Sequence, residues 1–354
     1  MFASDNWSGA HPAVSENLAR HAEGFAAAYG TSELDRAVEA RFDEIFEREV
    51  SVWFVATGTA ANAMALAAVN RPGGFAFCHS EAHVIESECG AVEYATHGAR
   101  LVPIDGTLGR IDPARLDEEM GRLAPMRVHA GQPMAVTITQ GTEVGTHYEL
   151  DDIRRIAEVC RRHEVPLHMD GARFANALVA TGLSPAEMTW KTGVDILSFG
   201  GTKNGCWCAE ALVFLDPARA EHIGFIRKRS AQLFSKTRFV AAQFEAYLAD
   251  DLWLRTARHA NGVADALKGA LRESGARLAW ETTTNEVFAY LTATQIAQLE
   301  ARGIHCHGWP MPRNAPSSPR EGETLQRFVA SFANTSEHVD ALRGALRSGL
   351  ATAA

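Results

Sequence analysis

Seven short apolar runs recur between residues 52 and 214, and they constrain the fold of this chain more than any other feature. The runs alternate with amphipathic segments, which is typical of parallel strands joined by crossover helices. The predicted strands are VWFVAT (52–57), FAFC (75–78), LVPI (101–104), MAVTIT (134–139), VPLHMD (165–170), DILSF (195–199) and EALVF (210–214). We therefore predict an α/β fold, a three-layer sandwich on a mostly parallel, seven-stranded sheet.

The remaining segments predict helices and a second, smaller unit. TAANAMALAAV follows the first strand, and ELDDIRRIAEVCRRHE carries acidic residues in its first turn and basic residues in its last, as helices do. After Asp216 the pattern is mainly helical, and the strand candidates NEVFAYL and TLQRFVASF come later. We predict a large domain at residues 1–250, including an N-terminal arm, and a small α+β domain at residues 251–354.

Charge and cysteine content narrow the class of protein. The 354-residue chain has a formal charge of −9, whereas nucleic-acid binders usually carry a basic surface. The N-terminus lacks the features of a signal peptide, and no apolar run is long enough to span a bilayer. The six cysteines contain no CxxC pair, which favours free thiols. We therefore expect a cytoplasmic protein that acts on a small molecule, without a nucleic-acid partner, a membrane partner or a metal site.

Three of the predicted strand ends carry chemically useful residues. Ligands of open parallel sheets collect at the carboxyl ends of the strands. The turn TGTAAN after the first strand opens a helix, and its glycine, hydroxyls and backbone N–H groups suit a phosphate. Asp170 ends the fifth strand, and Lys203 follows the sixth. Taken singly, each has an ordinary interpretation: turn and cap chemistry, a structural pair of Asp170 with Arg173 or a helix cap, and a surface lysine.

Pyridoxal 5'-phosphate is the cofactor that needs these parts together. It requires a lysine amine for a Schiff base, an acid against its pyridine nitrogen and an anion site for its phosphate. The turn matches neither GxGxxG nor a Walker A loop, which counts against dinucleotides and ATP. The sequence therefore favours a pyridoxal-phosphate protein, with Lys203 as the Schiff-base lysine, Asp170 at the ring nitrogen, and Gly58 and Thr59 at the phosphate.

A set of motifs carries a resemblance to a known family. In chain order they are FASDN, ATGTAAN, EAHVIESECGA, PLHMDGAR, LSFGGTKNG and TLQRFVASF. Together they resemble the low-specificity L-threonine aldolases, which are fold-type I pyridoxal-phosphate enzymes of the beta-eliminating lyase and threonine aldolase superfamily. The most specific part is PLHMDGAR with the downstream lysine. The resemblance implies a fold-type I architecture and a homo-oligomer, a dimer or tetramer, whose subunits share active sites.

The resemblance also implies roles for individual residues. His83 would stack over the cofactor ring, and Arg173 belongs to the Asp-Gly-Ala-Arg motif of the cofactor site. Arg327, with Ser4 and Arg173, would bind the α-carboxylate of the substrate. A guanidinium suits that task because it binds a carboxylate through two parallel hydrogen bonds.

Some implied positions depart from the family pattern or align loosely. Tyr29 resembles a tyrosine near the active site, and Lys236 and Arg238 would contact the cofactor phosphate of a neighbouring subunit. His129 falls where the family has a histidine near the substrate hydroxyl. The segment QGTE, residues 140–143, stands where the family has Glu-Asn-Thr-His. This departure bears on which substrate side chains the enzyme would accept more than on the cofactor chemistry.

The expected reaction is cleavage of L-threonine, L-allo-threonine and related L-β-hydroxy-α-amino acids, such as phenylserine, to glycine and an aldehyde. His83 is the first candidate for the base that takes the β-hydroxyl proton, and His129 the second, because imidazole titrates near neutral pH. The alternatives are β-elimination, transamination or decarboxylation on the same scaffold, and a pyridoxal-binding protein without catalysis. The presence of Arg327 argues against a mere binder, and the absent glycine fingerprint argues against a nicotinamide-dependent reductase.

Overall fold

The structure is a computed structural model that describes residues 1–123 and 127–347. Its first nine strands are β1 (Ser51–Val55), β2 (Gly74–His79), β3 (Arg100–Ile104), β4 (Gly106–Thr107), β5 (Arg110–Ile111), β6 (Gln132–Thr139), β7 (Leu167–Gly171), β8 (Ile196–Gly200) and β9 (Glu210–Phe214). Seven of them form one sheet in the order β1-β9-β8-β7-β6-β2-β3, and β4 pairs with β5 as a separate hairpin. Within this sheet only β9 runs antiparallel to its neighbours. All seven predicted strands are confirmed, each to within two residues at either end.

Helices cover both faces of this sheet, which confirms the three-layer arrangement. In the described part of the chain they are α1 (Pro12–Arg20), α2 (Glu33–Phe46), α3 (Gly58–Ala68), α4 (His83–Glu86), α5 (Ala91–Ala95), α6 (Pro113–Leu123), α7 (Arg127–Ala130), α8 (Leu150–Arg162), α9 (Phe174–Thr181), α10 (Pro185–Met188), α11 (Ile223–Arg229), α12 (Arg238–Leu248), α13 (Leu252–Glu273), α14 (Ala293–Glu300) and α15 (Ser336–Arg347). Both helices predicted from clear end signals, α3 and α8, are present.

The sheet is apolar because its strands are buried on both sides. Leu197 of β8 packs in the core that contains α2, α8 and α12, whereas its neighbour Ile196 packs against α3 and α11. Successive side chains of a strand point to opposite faces, so a strand covered on both faces must be apolar throughout. This is why the central strands read as continuous apolar runs instead of alternating with polar residues.

The C-terminal part of the chain forms a second, antiparallel sheet. Its strands are β10 (Arg277–Leu278), β11 (Glu286–Thr292), β12 (His307–Gly308) and β13 (Glu323–Val329), in the order β10-β11-β13-β12. Helices α13, α14 and α15 pack against it around a core that also holds Phe2. The backbone of Phe2 pairs with Val329 and His305, so the chain start is attached to the small sheet. The division at residues 250/251 stays a prediction.

The turn that carries Lys203 lies between β8 and β9 and is fixed by buried groups. Asn204 donates through Nδ2 to Tyr247 Oη at 2.7 Å and to the Trp253 carbonyl at 2.8 Å. At Gly201 a Cβ atom would lie 2.6 Å from the Ala209 carbonyl oxygen, so the backbones approach too closely for a side chain. These contacts determine where the backbone of Lys203 lies.

None of the described helices is long and apolar enough to cross a membrane.

We expect Asn204→Ala to lower the free energy of unfolding by about 1–3 kcal/mol, because Tyr247 Oη and the Trp253 carbonyl would lose a buried donor. Urea unfolding measures this change. A double-mutant cycle with Tyr247→Phe should give a coupling energy above about 0.5 kcal/mol. Fully additive effects of the two substitutions would contradict the hydrogen bond between them.

Candidate active site

A cavity of about 270 Å³, which we call the inner cavity, lies at the carboxyl ends of the central strands. Side chains that follow β1, β6, β7 and β8 line it, as expected for an open α/β sheet. The predicted site residues among them are Gly58, Thr59, His83, Asp170, Arg173 and Lys203. Distant segments of the chain thus place these six residues around one space.

A larger cavity of about 590 Å³, the outer cavity, shares His83, Arg173 and Lys203 with the inner one. It adds the predicted residues Ser4 and Arg327. Its outer wall is residues 309–313, the sequence WPMPR of the proline-rich loop in the small unit. The two cavities therefore meet at Lys203, and the outer one lies between the two sheets.

Lys203 is half-buried and, in the described residues, makes no hydrogen bond or ion pair. Several carboxyl groups lie close enough to interact with it electrostatically, among them Asp5, Glu210 and Glu286. Burial raises the pKa of Glu210 to about 7, against the opposing effects of Thr202 and Lys203. The lysine amine is therefore available to a ligand in either cavity.

Asp170 is buried at the end of β7 and is held by two donors. Its Oδ1 accepts from the Ala172 backbone N–H at 2.9 Å, and its Oδ2 accepts from Asn62 Nδ2 at 2.8 Å. Arg173 forms no ion pair with it and binds Asp5 instead, so the structural Asp170–Arg173 pair considered above is wrong. The carboxylate is fixed in place and still lines the inner cavity.

These parts fit pyridoxal phosphate. The inner cavity is lined by the amine of Lys203, which has no partner among the described residues, and by a buried, hydrogen-bonded carboxylate, Asp170. The N-terminus of α3 opens on the same cavity at Gly58 and Thr59, and a Cβ added to Gly58 would meet nothing within 4 Å. A helix N-terminus with an open approach suits the phosphate. The donor set therefore satisfies each requirement of the cofactor.

A hydrogen-bonded chain connects His83 to Asp170. His83 Nδ1 lies 2.8 Å from Glu88 Oε1, and Asn62 Nδ2 donates both to that oxygen and to Asp170. The side chain of Glu88 is fully buried. The hydrogen bond that His83 donates to Glu88 raises the pKa of His83, against the effect of its burial. One nitrogen of the His83 ring, Nδ1, is therefore already hydrogen-bonded within the protein.

A second buried cluster lies where Arg173 and Arg327 meet. Arg173 donates to both oxygens of Asp5 at 2.9 and 3.2 Å, and its Nη2 lies 3.4 Å from Glu286 Oε1. Arg327 Nη1 lies 3.5 Å from the same oxygen, and its guanidinium stacks on Trp309 at 4.1 Å. Neither oxygen of Glu286 accepts a hydrogen bond, and Arg327 Nε has no acceptor among the described residues. The cluster therefore retains donor capacity for a bound carboxylate.

Four predicted residues lie outside both cavities of this chain. His129 is exposed on α7, and Tyr29 is 52% exposed. Lys236 is exposed, and Arg238 contacts the Gly24 carbonyl at about 3.4 Å. The backbone N–H of Tyr29 donates to the Ser235 carbonyl, so Tyr29, Lys236 and Arg238 belong to one region of the surface. None of the four lines the site within this chain. Their roles stay predictions, those of Lys236 and Arg238 for the site of a neighbouring subunit.

Sequence reasoning missed the buried acids and one amide of the site. These are Asp5, Asn62, Glu88, Glu143, Glu210 and Glu286. A usable signal existed for Glu286, because an acid begins the apolar run EVFAYL and is costly to bury there. Asn62 and Asp5 lie inside motifs that were recognised, ATGTAAN and FASDN. Glu88 lies inside the motif EAHVIESECGA and Glu143 inside the segment QGTE, but neither stretch indicates that the acid is buried beside the site.

Comparison with known proteins agrees with this geometry. The beta-eliminating lyase family matches residues 1–294. A low-specificity L-threonine aldolase of Pseudomonas aeruginosa is 40% identical over 304 residues, which cover 86% of this chain and 87% of the relative. A second, from a Pseudomonas species, is 37% identical over the same shares of both chains. A solved threonine aldolase of Leishmania major matches with a TM-score of 0.91 and 27% identity over 99% of each chain.

The Glu88 contact gives a test that is independent of turnover. We expect Glu88→Gln to lower the pKa of His83, because the substitution removes the charged acceptor that stabilises the imidazolium. NMR titration of the ring C–H signals measures this pKa. Glu86→Gln changes an exposed residue on α4, the helix that carries His83, and should leave the pKa of His83 unaltered. An unchanged titration in Glu88→Gln would contradict the contact.

Proposed function

Because the chain belongs to the beta-eliminating lyase family, among its low-specificity L-threonine aldolases, we propose that it is a pyridoxal-phosphate-dependent aldehyde-lyase. Its substrates are L-threonine, L-allo-threonine and related L-β-hydroxy-α-amino acids, phenylserine among them. It breaks the bond between Cα and Cβ, and the products are glycine and an aldehyde. The observation that carries this proposal is the position of Lys203 between Asp170 in the inner cavity and Arg327 in the outer one.

The residues of the inner cavity would hold the cofactor in a defined orientation. They are Gly58 and Thr59 at the phosphate, Asp170 at the ring nitrogen, His83 over the ring face and Lys203 at the aldehyde, with Lys236 and Arg238 of a neighbouring subunit as further phosphate contacts. When bound, the cofactor supplies a protonated ring that withdraws electrons from the bonds around Cα. Asp170 keeps that ring protonated because a buried carboxylate with fixed donors stabilises a neighbouring cation.

The outer cavity would hold the amino acid by its carboxylate. Arg327 would make the main contact, because its Nε has no acceptor in the part of the chain that the structure describes and stacking on Trp309 fixes the plane of its guanidinium. Arg173 adds positive charge, and Ser4 adds a hydroxyl beside it. Fixing the carboxylate and the amine together determines which of the Cα bonds faces the electron-withdrawing ring. The β-substituent then extends toward residues 309–313 of the loop.

We propose that the protein is at least a dimer and forms a tetramer, in the cytoplasm. Helices α3, α5 and α11 enclose a further groove of about 850 Å³, and Thr57 and Thr59 line both this groove and the inner cavity. A second copy on this face would reach the phosphate end of the cofactor site. All six cysteines are free thiols, which supports a reducing compartment.

Reduction with borohydride tests the cofactor and its lysine together. We expect the purified protein to absorb visible light after loading with pyridoxal phosphate and to lose this absorbance on reduction, with the cofactor then fixed covalently to Lys203. Lys203→Ala should bind the cofactor without covalent fixation, because it lacks the amine. Mass spectrometry of the labelled peptide provides the readout. A label at another lysine, or none in the wild type, would refute the assignment.

The substrate clamp gives a second test. We expect Arg327→Lys to lower kcat/KM for L-threonine about ten- to a hundredfold, because lysine cannot form the paired hydrogen bonds of a guanidinium. Most of the change should appear in KM if the contact is equal in the bound and transition states. Arg320→Lys, an exposed arginine next to the same sheet, is the matched control. The products also distinguish the two reactions. Release of glycine indicates aldol cleavage, whereas release of ammonia and a keto acid indicates elimination.

A further inference from the structure

Glu143 lines both cavities, although no role has been assigned to it so far. It lies in the loop between β6 and α8, at the point where the cofactor cavity meets the substrate cavity. Ser4 and Arg327 line only the outer cavity, and Asp170 lines only the inner one. Glu143 is therefore placed beside any group that bridges the two, as the Cα–Cβ unit of a substrate would.

One carboxyl oxygen of Glu143 is fully engaged by the protein, and the other is not. Oε1 accepts from the His83 backbone N–H at 2.8 Å and from the Thr139 hydroxyl at 2.8 Å. Oε2 is buried and has no hydrogen-bond partner in the part of the chain that the structure describes. A buried carboxyl oxygen without a donor is costly. A hydroxyl group of a ligand would supply the missing donor.

The loop that carries Glu143 is fixed on both sides. Within it, the Thr142 backbone N–H donates to the Thr146 carbonyl at 2.8 Å. From the small unit, Trp280 Nε1 donates to the Val144 carbonyl at 2.9 Å. At Gly145 a Cβ atom would lie 2.9 Å from Thr282 Cγ2, so the two segments are in close contact. The carboxyl is consequently held in place before any substrate arrives.

The competing bases are less suitable. His83 already shares its Nδ1 with Glu88, and His129 is exposed outside both cavities. Glu210 lines the inner cavity but not the outer one, and it accepts from the Thr202 backbone. Among these four groups, only Glu143 combines a place at the junction of the cavities with an oxygen that lacks a donor.

We propose that Glu143 is a catalytic residue, the base that takes the proton from the β-hydroxyl of the substrate. This inference rests on the function proposed above. As the hydroxyl proton moves to the Glu143 carboxylate, the O–H electron pair forms the carbonyl bond of the aldehyde and the Cα–Cβ bond breaks. Its electron pair stays with Cα, which then takes up one proton to give glycine. One proton is released and one is consumed, so the reaction needs no oxidant or reductant.

The environment of Glu143 suits this exchange near neutral pH. Burial, and then the charge of Asp170, raise the pKa of Glu143 to about 7, against hydrogen bonds from the His83 backbone, its own backbone and Thr139. The other ionisable groups that interact with it or line the same cavities are Cys78, Glu81, His83, Glu86, Glu88, Tyr148, Arg173, Lys203, Glu210, Glu286, Arg313 and Arg327. A base with a pKa near the working pH is efficient because it can both take and return a proton.

The decisive experiment compares two reactions of the holoenzyme variant Glu143→Gln. Cleavage of L-phenylserine should fall by about a hundredfold or more, the usual scale for the loss of a general base. Exchange of the glycine α-proton in D₂O, followed by NMR, should stay within about threefold of the wild type, because glycine has no β-hydroxyl. Glu143→Asp should keep more cleavage than Glu143→Gln, since it retains a carboxylate.

The pH profile and a matched control complete the design. Wild-type kcat/KM should rise with pH through about 7, and Glu143→Gln should lose this limb. Glu39→Gln is the control, because burial also raises the pKa of Glu39 to about 7, on helix α2 away from both cavities. It should leave cleavage and exchange unaltered.

Two outcomes would overturn the proposal. Cleavage by Glu143→Gln within about threefold of the wild type would show that another group is the base. An equal loss of cleavage and glycine exchange would show that Glu143 only shapes the cofactor site. A wild-type enzyme that exchanges glycine but cleaves no β-hydroxy amino acid would instead refute the proposed function itself, so the two failures are distinguishable.

A readout without turnover comes from unfolding of the apoprotein. A raised folded-state pKa means that the stability contributed by Glu143 is present below its ordinary pKa of 4.5 and is lost as pH rises through about 7. Glutamine does not titrate. The urea midpoint of Glu143→Gln minus that of the wild type should therefore increase from pH 4.5 to about 7 and stay constant at higher pH. A pH-independent difference would show that folding does not raise the pKa of Glu143, which contradicts its role as a base that exchanges protons near neutral pH.

Discussion

The buried guanidinium of Arg173 is the constraint on which the rest of the site depends. It pairs with Asp5 of the N-terminal arm and lies near Glu286 of the small sheet, while its own backbone follows the central strand β7. A buried charge that loses its partner costs about 3–5 kcal/mol. The arm, the central sheet and the small sheet must therefore dock together before Arg173 is satisfied. The outer cavity exists because this docking leaves a space between the two sheets.

The same cluster prepares the site for an anionic substrate. Glu286 is fully buried and its pKa is raised by burial, while Arg173 and Arg327 oppose that rise. With Asp5 already bound to Arg173, the donors of Arg327 are only partly used. The unused donors of Arg327 would bind a substrate carboxylate, as proposed above. Two guanidinium groups face the two carboxyl groups of Asp5 and Glu286, which is why a region with buried acids still offers donors to an anion.

The sequence predicted those parts of the structure that local patterns encode. The seven strands followed from apolar runs, and Asp170 and Lys203 followed from their position at strand ends. Contacts such as Asn62 with Asp170, or Glu286 with Arg173, depend on how distant segments meet, and no single stretch encodes them. The family pattern supplied Arg327 and Ser4, which the structure brings to the outer cavity. It also suggested His129, which lies outside both cavities of this chain, so its role stays a prediction.

The carboxyl groups around Lys203 differ in their hydrogen bonds and positions, and these differences suit them to different roles. Asp170 has two donors, one on each oxygen, which fix its carboxyl group at the place proposed for the cofactor ring. Glu88 is committed to His83 and Asn62, so it positions other groups. Glu88 and Glu143 each have one buried oxygen without a hydrogen-bond partner among the described residues, but Glu88 lines only the inner cavity, whereas Glu143 lines both cavities. Where neighbouring acids differ in this way, the one placed where cofactor and substrate would meet is the one suited to exchange a proton with a substrate.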